Sequence, residues 1–287
     1  DRLGVTGTRT FTITINPAIT LDPIPTLQVT QGNGNTATSE TITAHGGTGA
    51  ITYSLDPQNS GFTINPNTGA VTVNTSNLTA GTYYETITAR DASGAESSTV
   101  ITVTIYDSIT VSGSNNITTT AGRAESSTAL TVNGGKSPYT YSIAPDHAGI
   151  SIDPTTGIVT VTDTTTAGTY YETITITDAL GYQQTFAITI TVNQKIVVSV
   201  VQPLATTYGI NDTFTSVVTS TGGTGKLSYQ LSGDNSSYLS IDDTGTITLV
   251  GTPSTGALYE TVTTTDQLGV TKSRSFTITI NLSLIHI

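Results

Sequence analysis

The stretch Tyr83-Tyr84-Glu85-Thr86-Ile87-Thr88-Ala89-Arg90-Asp91-Ala92-Ser93-Gly94, closing on Val100-Ile101-Thr102-Val103-Thr104-Ile105, decides how the chain must be read. Apolar residues alternate with threonine on either side of an Asp-x-x-Gly, and period two is the mark of a half-buried strand. Asp at the first position of a type I turn hydrogen-bonds the backbone ahead of it, and Gly supplies the positive φ that follows. The stretch therefore reads as two long strands joined by a tight turn. It recurs. Tyr170-Tyr171-Glu172-Thr173 leads to Asp178 and Gly181, and Leu258-Tyr259-Glu260-Thr261 leads to Asp266 and Gly269.

Other landmarks keep the same period. Gly46-Gly47-Thr48-Gly49 returns at Gly134 and Gly222, and the Thr-Gly turn at Gly69 returns at Gly157 and Gly245. Both sets are spaced by 88 residues. A fourth Asp-x-x-Gly, Asp1 to Gly4, precedes Phe11-Thr12-Ile13-Thr14-Ile15-Asn16, which matches Phe276 to Asn281. The expected partition is a closing hairpin of a truncated repeat at 1–16, and repeats at 17–106, 107–193 and 194–281. Residues 282–287 then open a further repeat or are a terminal artefact. The 1–16 hairpin is expected to be poorly ordered or docked on the first repeat, because an isolated hairpin is marginal in water.

Within the first repeat, strands are expected near 27–30, 38–44, 51–55, 62–64, 70–73, 82–90 and 98–105. Seven short strands in about 88 residues, with turn signals between them and no sustained helical period, predict an antiparallel two-sheet sandwich of immunoglobulin-like Greek-key type. The junctions are a few residues long, as in Asn193-Gln194-Lys195-Ile196, and leave little of the freedom of a Gly/Ser tether. Three such domains of about 40 Å each would make a linear array of roughly 120 Å.

Composition narrows the function. The 287 residues include no Cys, Met or Trp, and 20 acidic against 9 basic residues give a net charge of −11. Without cysteine there is no disulfide, no thiol nucleophile and no Cys-type zinc site. So few cations cannot neutralise many phosphates, which excludes nucleic acid as the expected partner. No stretch approaches the ~18 apolar residues of a membrane span. About 65 residues are threonine, far above ordinary usage, and many fall on the outward parity of strands.

The second half of each repeat carries a further pattern. It runs Gly61-Phe62-Thr63-Ile64-Asn65-Pro66-Asn67-Thr68-Gly69, then Ala80-Gly81-Thr82-Tyr83, then the Asp-x-x-Gly hairpin; Gly149 to Gly157 and Ala167-Gly168-Thr169-Tyr170 repeat it. This resembles the bacterial Ig-like and dystroglycan-type cadherin-like tandem repeats of large cell-surface or secreted, adhesin-like proteins. The resemblance implies an extracellular, non-catalytic stalk or spacer whose partners are the neighbouring repeats of the same chain. The alternatives it leaves open are a module that binds surface glycans or proteins, and a spacer in a secreted polysaccharide-degrading enzyme. True cadherin repeats chelate calcium at each junction with several acidic residues. Here the junctions hold Asn16, Asp107 and Asn193, too few for six to eight oxygen ligands.

Site candidates follow from these motifs. Asp91, Asp178 and Asp266 are the candidates for a calcium ligand, but their leading role is in the hairpin turn with Gly94, Gly181 and Gly269. No other cofactor is expected. Histidines His45, His147 and His286 occupy no equivalent positions, and no nucleophile or base is marked by sequence, so no catalytic site is expected. Glu85, Glu172 and Glu260 share the parity of core residues. A buried carboxylate must find donors, so each is expected to accept at least two hydrogen bonds. Tyr83 and Tyr170 are expected in the core, and Tyr84, Tyr171 and Tyr259 outside it.

Overall fold

The computed structural model describes residues 4, 6–32, 35–56, 60–199, 204–207, 215–233, 236–251 and 253–282. Asp1, His286 and all but Leu282 of the expected terminal segment lie outside the described residues. Among those described, the chain is β throughout, with only two three-residue 3-10 turns, Thr75–Asn77 and Ser236–Tyr238.

Contacts divide the chain into two compact units. One is Asp1–Thr110 with Val132–Tyr139 and Thr177–Gln184; the other is Val111–Thr131 with Thr140–Ile176 and Thr185–Ile287. The division falls inside the second repeat, whose glycine bend and Asp-x-x-Gly turn group with the first.

In the first unit a four-stranded sheet runs Leu27–Thr30, Glu96–Tyr106, Gly81–Arg90, Thr52–Asp56 in spatial order. A three-stranded sheet of Thr36–Thr38, Val71–Asn74 and Phe62–Ile64 faces it, and Thr20–Leu21 pairs with Ala44–His45. Between the sheets lie Val29, Phe62, Val71, Val73, Ile87, Ile101 and Val103, all almost fully buried. Each such side chain contributes about 1.5–3 kcal/mol when removed from water. The alternation read from sequence produces this core directly: Glu85, Ile87 and Ala89 are buried while Tyr84 and Arg90 are exposed.

The second unit repeats the plan. Its third-repeat sheets are Leu204–Thr207, Thr271–Asn281, Gly256–Thr265, Ser228–Gly233, and Thr215–Val217, Thr246–Leu249, Leu239–Ile241. The second-repeat strands follow the same order, with Asn116–Thr120, Gln183–Asn193, Gly168–Thr177 and Thr140–Ala144 in the larger sheet. The fold is a set of tandem immunoglobulin-like, cadherin-like β-sandwiches.

Three expectations are corrected. The first strand of the larger sheet pairs parallel with the last in every repeat, with Thr30 opposite Tyr106, Thr120 opposite Asn193 and Thr207 opposite Asn281. In the first repeat Pro23 and Pro25 separate Thr20–Leu21 from Leu27–Thr30. Proline has no N–H for a ladder, so the chain leaves one sheet and enters the other. The strand expected at 38–44 is broken between Thr38 and Ala44. Ser39 causes the break: its N–H donates to the Val71 carbonyl at 2.8 Å while its hydroxyl accepts from the Val71 N–H at 3.0 Å. The hairpin expected at 1–16 is not formed among the described residues. Residues 6–16 carry no strand, and Phe11, Ile13 and Ile15 are 80%, 70% and 89% exposed. Alternation alone does not make a strand when no sheet edge is there to satisfy its backbone groups.

Candidate functional site

The most elaborate polar assembly is the end of each repeat where the glycine bend meets the Asp-x-x-Gly turn. The bend is a backbone requirement. Gly46, Gly134 and Gly222 have φ of 77°, 74° and 78°. A Cβ there would fall 2.1–2.3 Å from the carbonyl oxygens of Ala18, Ser108 and Lys195 respectively. Only glycine lets the incoming linker approach so closely. The next glycine clamps that linker: Gly47, Gly135 and Gly223 donate to the carbonyls of Pro17, Asp107 and Gln194 at 2.7–2.8 Å.

The aspartate then ties the bend to the hairpin. Asp178 Oδ1 accepts from the N–H groups of Leu180 and Tyr182, both at 2.9 Å, and Oδ2 accepts from the Lys136 N–H at 3.0 Å. Asp266 Oδ1 likewise accepts from Leu268 and Val270, and Oδ2 from Thr224 N–H, all at 2.9 Å. In the first repeat Asp91 accepts from the N–H groups of Ser93, Ala95 and Thr48 and from the Ser93 hydroxyl. The glycine of each turn has positive φ, at Gly94, Gly181 and Gly269.

One more donor reaches two of the three aspartates. Thr30, at the end of the parallel strand of the first repeat, donates its hydroxyl to Asp178 Oδ2 at 2.5 Å. Thr120, its register equivalent in the second repeat, donates to Asp266 Oδ2 at 2.6 Å. Both threonines are at most 1% exposed. Each pair lies within one compact unit. Burial pushes the Asp178 carboxyl up, but the Thr30 hydroxyl and the N–H groups of Lys136, Tyr182 and Leu180 outweigh it and hold it below 3.8. Asp266 is lowered in the same way, with Thr120 supplying the side-chain bond against burial. Asp91 is lowered chiefly by the Ser93 hydroxyl.

The structure shows what surrounds each calcium candidate. A carboxylate has about four lone-pair directions, and at Asp178 and Asp266 four N–H or O–H donors already point along them. No group of three or more His, Cys, Asp or Glu is placed to share a metal among the described residues.

Glu85, Glu172 and Glu260 are 0–2% exposed, on the core face that their parity predicts. Glu172 Oε1 lies 2.5 Å from His147 Nδ1, while its Oε2 has no hydrogen-bond partner among the described residues. The His147 ring stands edge-on to Tyr170, centroids 5.0 Å apart. Sequence reasoning missed this histidine, because Asn59 and Asn235 stand at the equivalent positions of the other repeats and no recurrence marks it. Tyr83 and Tyr170 are half-buried rather than core. Each phenol needs a partner and reaches back four residues, to the carbonyls of Thr79 and Thr166 at 2.9 and 2.8 Å. Leu258, the apolar equivalent, is buried outright. Tyr84, Tyr171 and Tyr259 are 69%, 74% and 71% exposed. The Thr-Gly turns at Gly69, Gly157 and Gly245 are held by Asn65, Asp153 and Asp242, whose side chains accept the N–H groups ahead of them.

No family model matches this chain, and no curated protein matches it. Among solved structures it is similar to the I-band fragment I67–I69 from titin, at 12% identity over 93% of this chain and 99% of that one, with a TM-score of 0.49. It is also similar to protocadherin gamma B2 extracellular domains 3–6, at 17% identity over 91% and 73% with a TM-score of 0.34. Mouse cadherin-23 EC22–24 gives 17% over 93% and 99%, with a TM-score of 0.32. These scores are too low to carry a functional argument, and the fold class rests on the sheet order and register above. Among the described residues no helix is long and apolar enough to cross a membrane.

Proposed function

We propose that this chain is a run of non-catalytic spacer sandwiches from an extracellular, adhesin-like bacterial surface protein, and that its work is to bear load between other domains. The repeat boundaries of the reading are 17–106, 107–193 and 194–281. The observation that carries it is the parallel pairing, in all three repeats, of the last strand with the first strand of the larger sheet. Tension applied at the two ends of a repeat pulls such a pair along its length, so the ladder bonds must break together rather than one at a time. The sequence resemblance to surface-protein repeats supports the same reading.

Single-molecule stretching of the whole chain tests it. Three rupture events of similar force are expected, each releasing on the order of 300 Å, the extended length of about 88 residues at ~3.6 Å each. Unfolding at negligible force, or as one event, would sink the proposal. A second reading, a glycan- or protein-binding module, is favoured by the three equivalent exposed tyrosines, since an exposed aromatic face can stack on a sugar. Glycan-array binding that is lost when Tyr84, Tyr171 and Tyr259 are all changed to Ser would support it over the spacer.

A further inference from the structure

The Asp-x-x-Gly carboxylate does more than hold its own turn. Asp91 shows what the turn alone requires: N–H donors from the hairpin and from the glycine bend, and the neighbouring Ser93 hydroxyl. Asp178 and Asp266 have the equivalent backbone donors and, in addition, a threonine hydroxyl from the preceding repeat. Those threonines stand at one register position, opposite the last residues of the parallel partner strand. They are buried, whereas threonines along the long hairpins, such as Thr82 and Thr169, are exposed. A hydroxyl donating to an ionised carboxylate forms one of the stronger kinds of hydrogen bond, and burial shields it from competing water.

From this geometry we infer that the carboxylate is a recognition socket for the threonine of the preceding repeat, and that the pair Thr30–Asp178, like Thr120–Asp266, fixes neighbouring repeats together with no bridging cation. The inference rests on the spacer reading for its purpose but not for its chemistry. The hydroxyl proton takes up the carboxylate direction that a shared metal would need. A further polar layer supports each socket. In the first, the Tyr182 hydroxyl donates to the Thr36 carbonyl at 3.1 Å. In the second, the Asn193 amide donates to the Thr224 hydroxyl at 2.8 Å. The kind of partner that fits is thus another repeat presenting a buried threonine at the end of its parallel strand. Thr207 stands at that register position in the third repeat.

The absence of cysteine makes the test direct. Nitroxide labels are placed on the full chain through Thr63→Cys with Ser151→Cys, and through Ser151→Cys with Ser240→Cys, all exposed positions. Distance distributions are then measured by electron resonance. Thr30→Val should broaden the first pair and Thr120→Val the second, each through a roughly tenfold rise in the undocked population, the worth of one hydrogen bond to a charged group. Thr30→Ser and Thr120→Ser, which keep the hydroxyl, should restore the narrow distributions. Adding Asp178→Asn to Thr30→Val should broaden the first pair little further, as expected of residues acting as one unit. Asp91→Asn should leave both pairs unchanged. Unchanged widths in both valine variants would overturn the proposal. So would broadening of the parent chain by a chelator, or narrowing of the valine variants by calcium. Stretching reads rupture within a repeat, so the spacer reading and this one can fail separately.

Discussion

The two sockets are built alike and finished differently. In the first, Thr30 bonds Asp178 and the outer support is an aromatic one, with Tyr182 packed against the first-repeat core and bonded to Thr36. In the second, Val270 stands where Tyr182 would, so the cavity of about 220 Å³ there, lined by Ala121, Lys195 and Lys272 among others, has no aromatic wall, whereas its counterpart of about 250 Å³ at the first socket is lined by Thr30 and Tyr182. At the second socket Thr120 has a second contact, its hydroxyl lying 2.7 Å from that of Thr224, which also takes the Asn193 amide. The carboxylate–hydroxyl pair is common to both, and the surrounding packing is interchangeable. What the repeats must preserve is therefore one acceptor and one donor, not a shape-matched surface.

Removing the acceptor should break the comparison most severely. Asp178→Ala leaves three part-buried N–H donors and a buried hydroxyl without their acceptor, and is expected to cost about 3 kcal/mol in urea unfolding. Asp266→Ala should cost less, because Thr120 keeps the Thr224 hydroxyl. Equal losses would show that the Thr224 contact contributes nothing.

Acid should act on both sockets together. Folded-state values of Asp178 and Asp266 are depressed below 3.8. Their stabilisation is therefore fully present above the unfolded-state value and is lost as pH falls through the lower folded-state values. Carboxyl-carbon NMR titration should find both aspartates losing their charge at lower pH than an ordinary aspartate, with the labelled pairs broadening as they do. An ordinary titration at either site would remove the charge-assisted bond from that socket.

The smallest effect sharpens the difference. Tyr182→Phe deletes one neutral hydrogen bond and should lower stability by about 0.5–1.5 kcal/mol, while leaving the second labelled pair untouched. Thermal unfolding followed by tyrosine circular dichroism would measure it. A broadened second pair would show that the two sockets are coupled.

Much of the sandwich was legible in the chain because strand parity is a local property. Glu85, Glu172 and Glu260 were placed on the core face by counting in twos, and the Asp-x-x-Gly turns by the φ their glycines need. The parallel first strand was not legible, since alternation says which face a residue takes and nothing about which edge its strand joins. The broken strand at Ser39 turned on a side chain replacing a backbone acceptor, a choice available to any serine in a strand. Thr30 and Thr120 were hidden for a different reason. Among about 65 threonines, most filling the polar half of β patterns, two that donate to distant carboxylates have no local signature. Only the packing of one repeat's strand end against the next repeat's turn distinguishes them. His147 was missed likewise, because a loop residue meets Glu172 through the course of the chain and not through any spacing.

The linker clamp has a consequence for how such a protein can change over generations. The linker is gripped by its own main-chain carbonyls, at Pro17, Asp107 and Gln194, three residues with nothing chemically in common. The second and third repeats each bring the bend and the carboxylate at one end, and the first and second each bring the hydroxyl at the other. A gene that gains or loses one whole repeat would therefore create no mismatched boundary, and chains of different length could descend from one another by unequal recombination without a single compensating substitution.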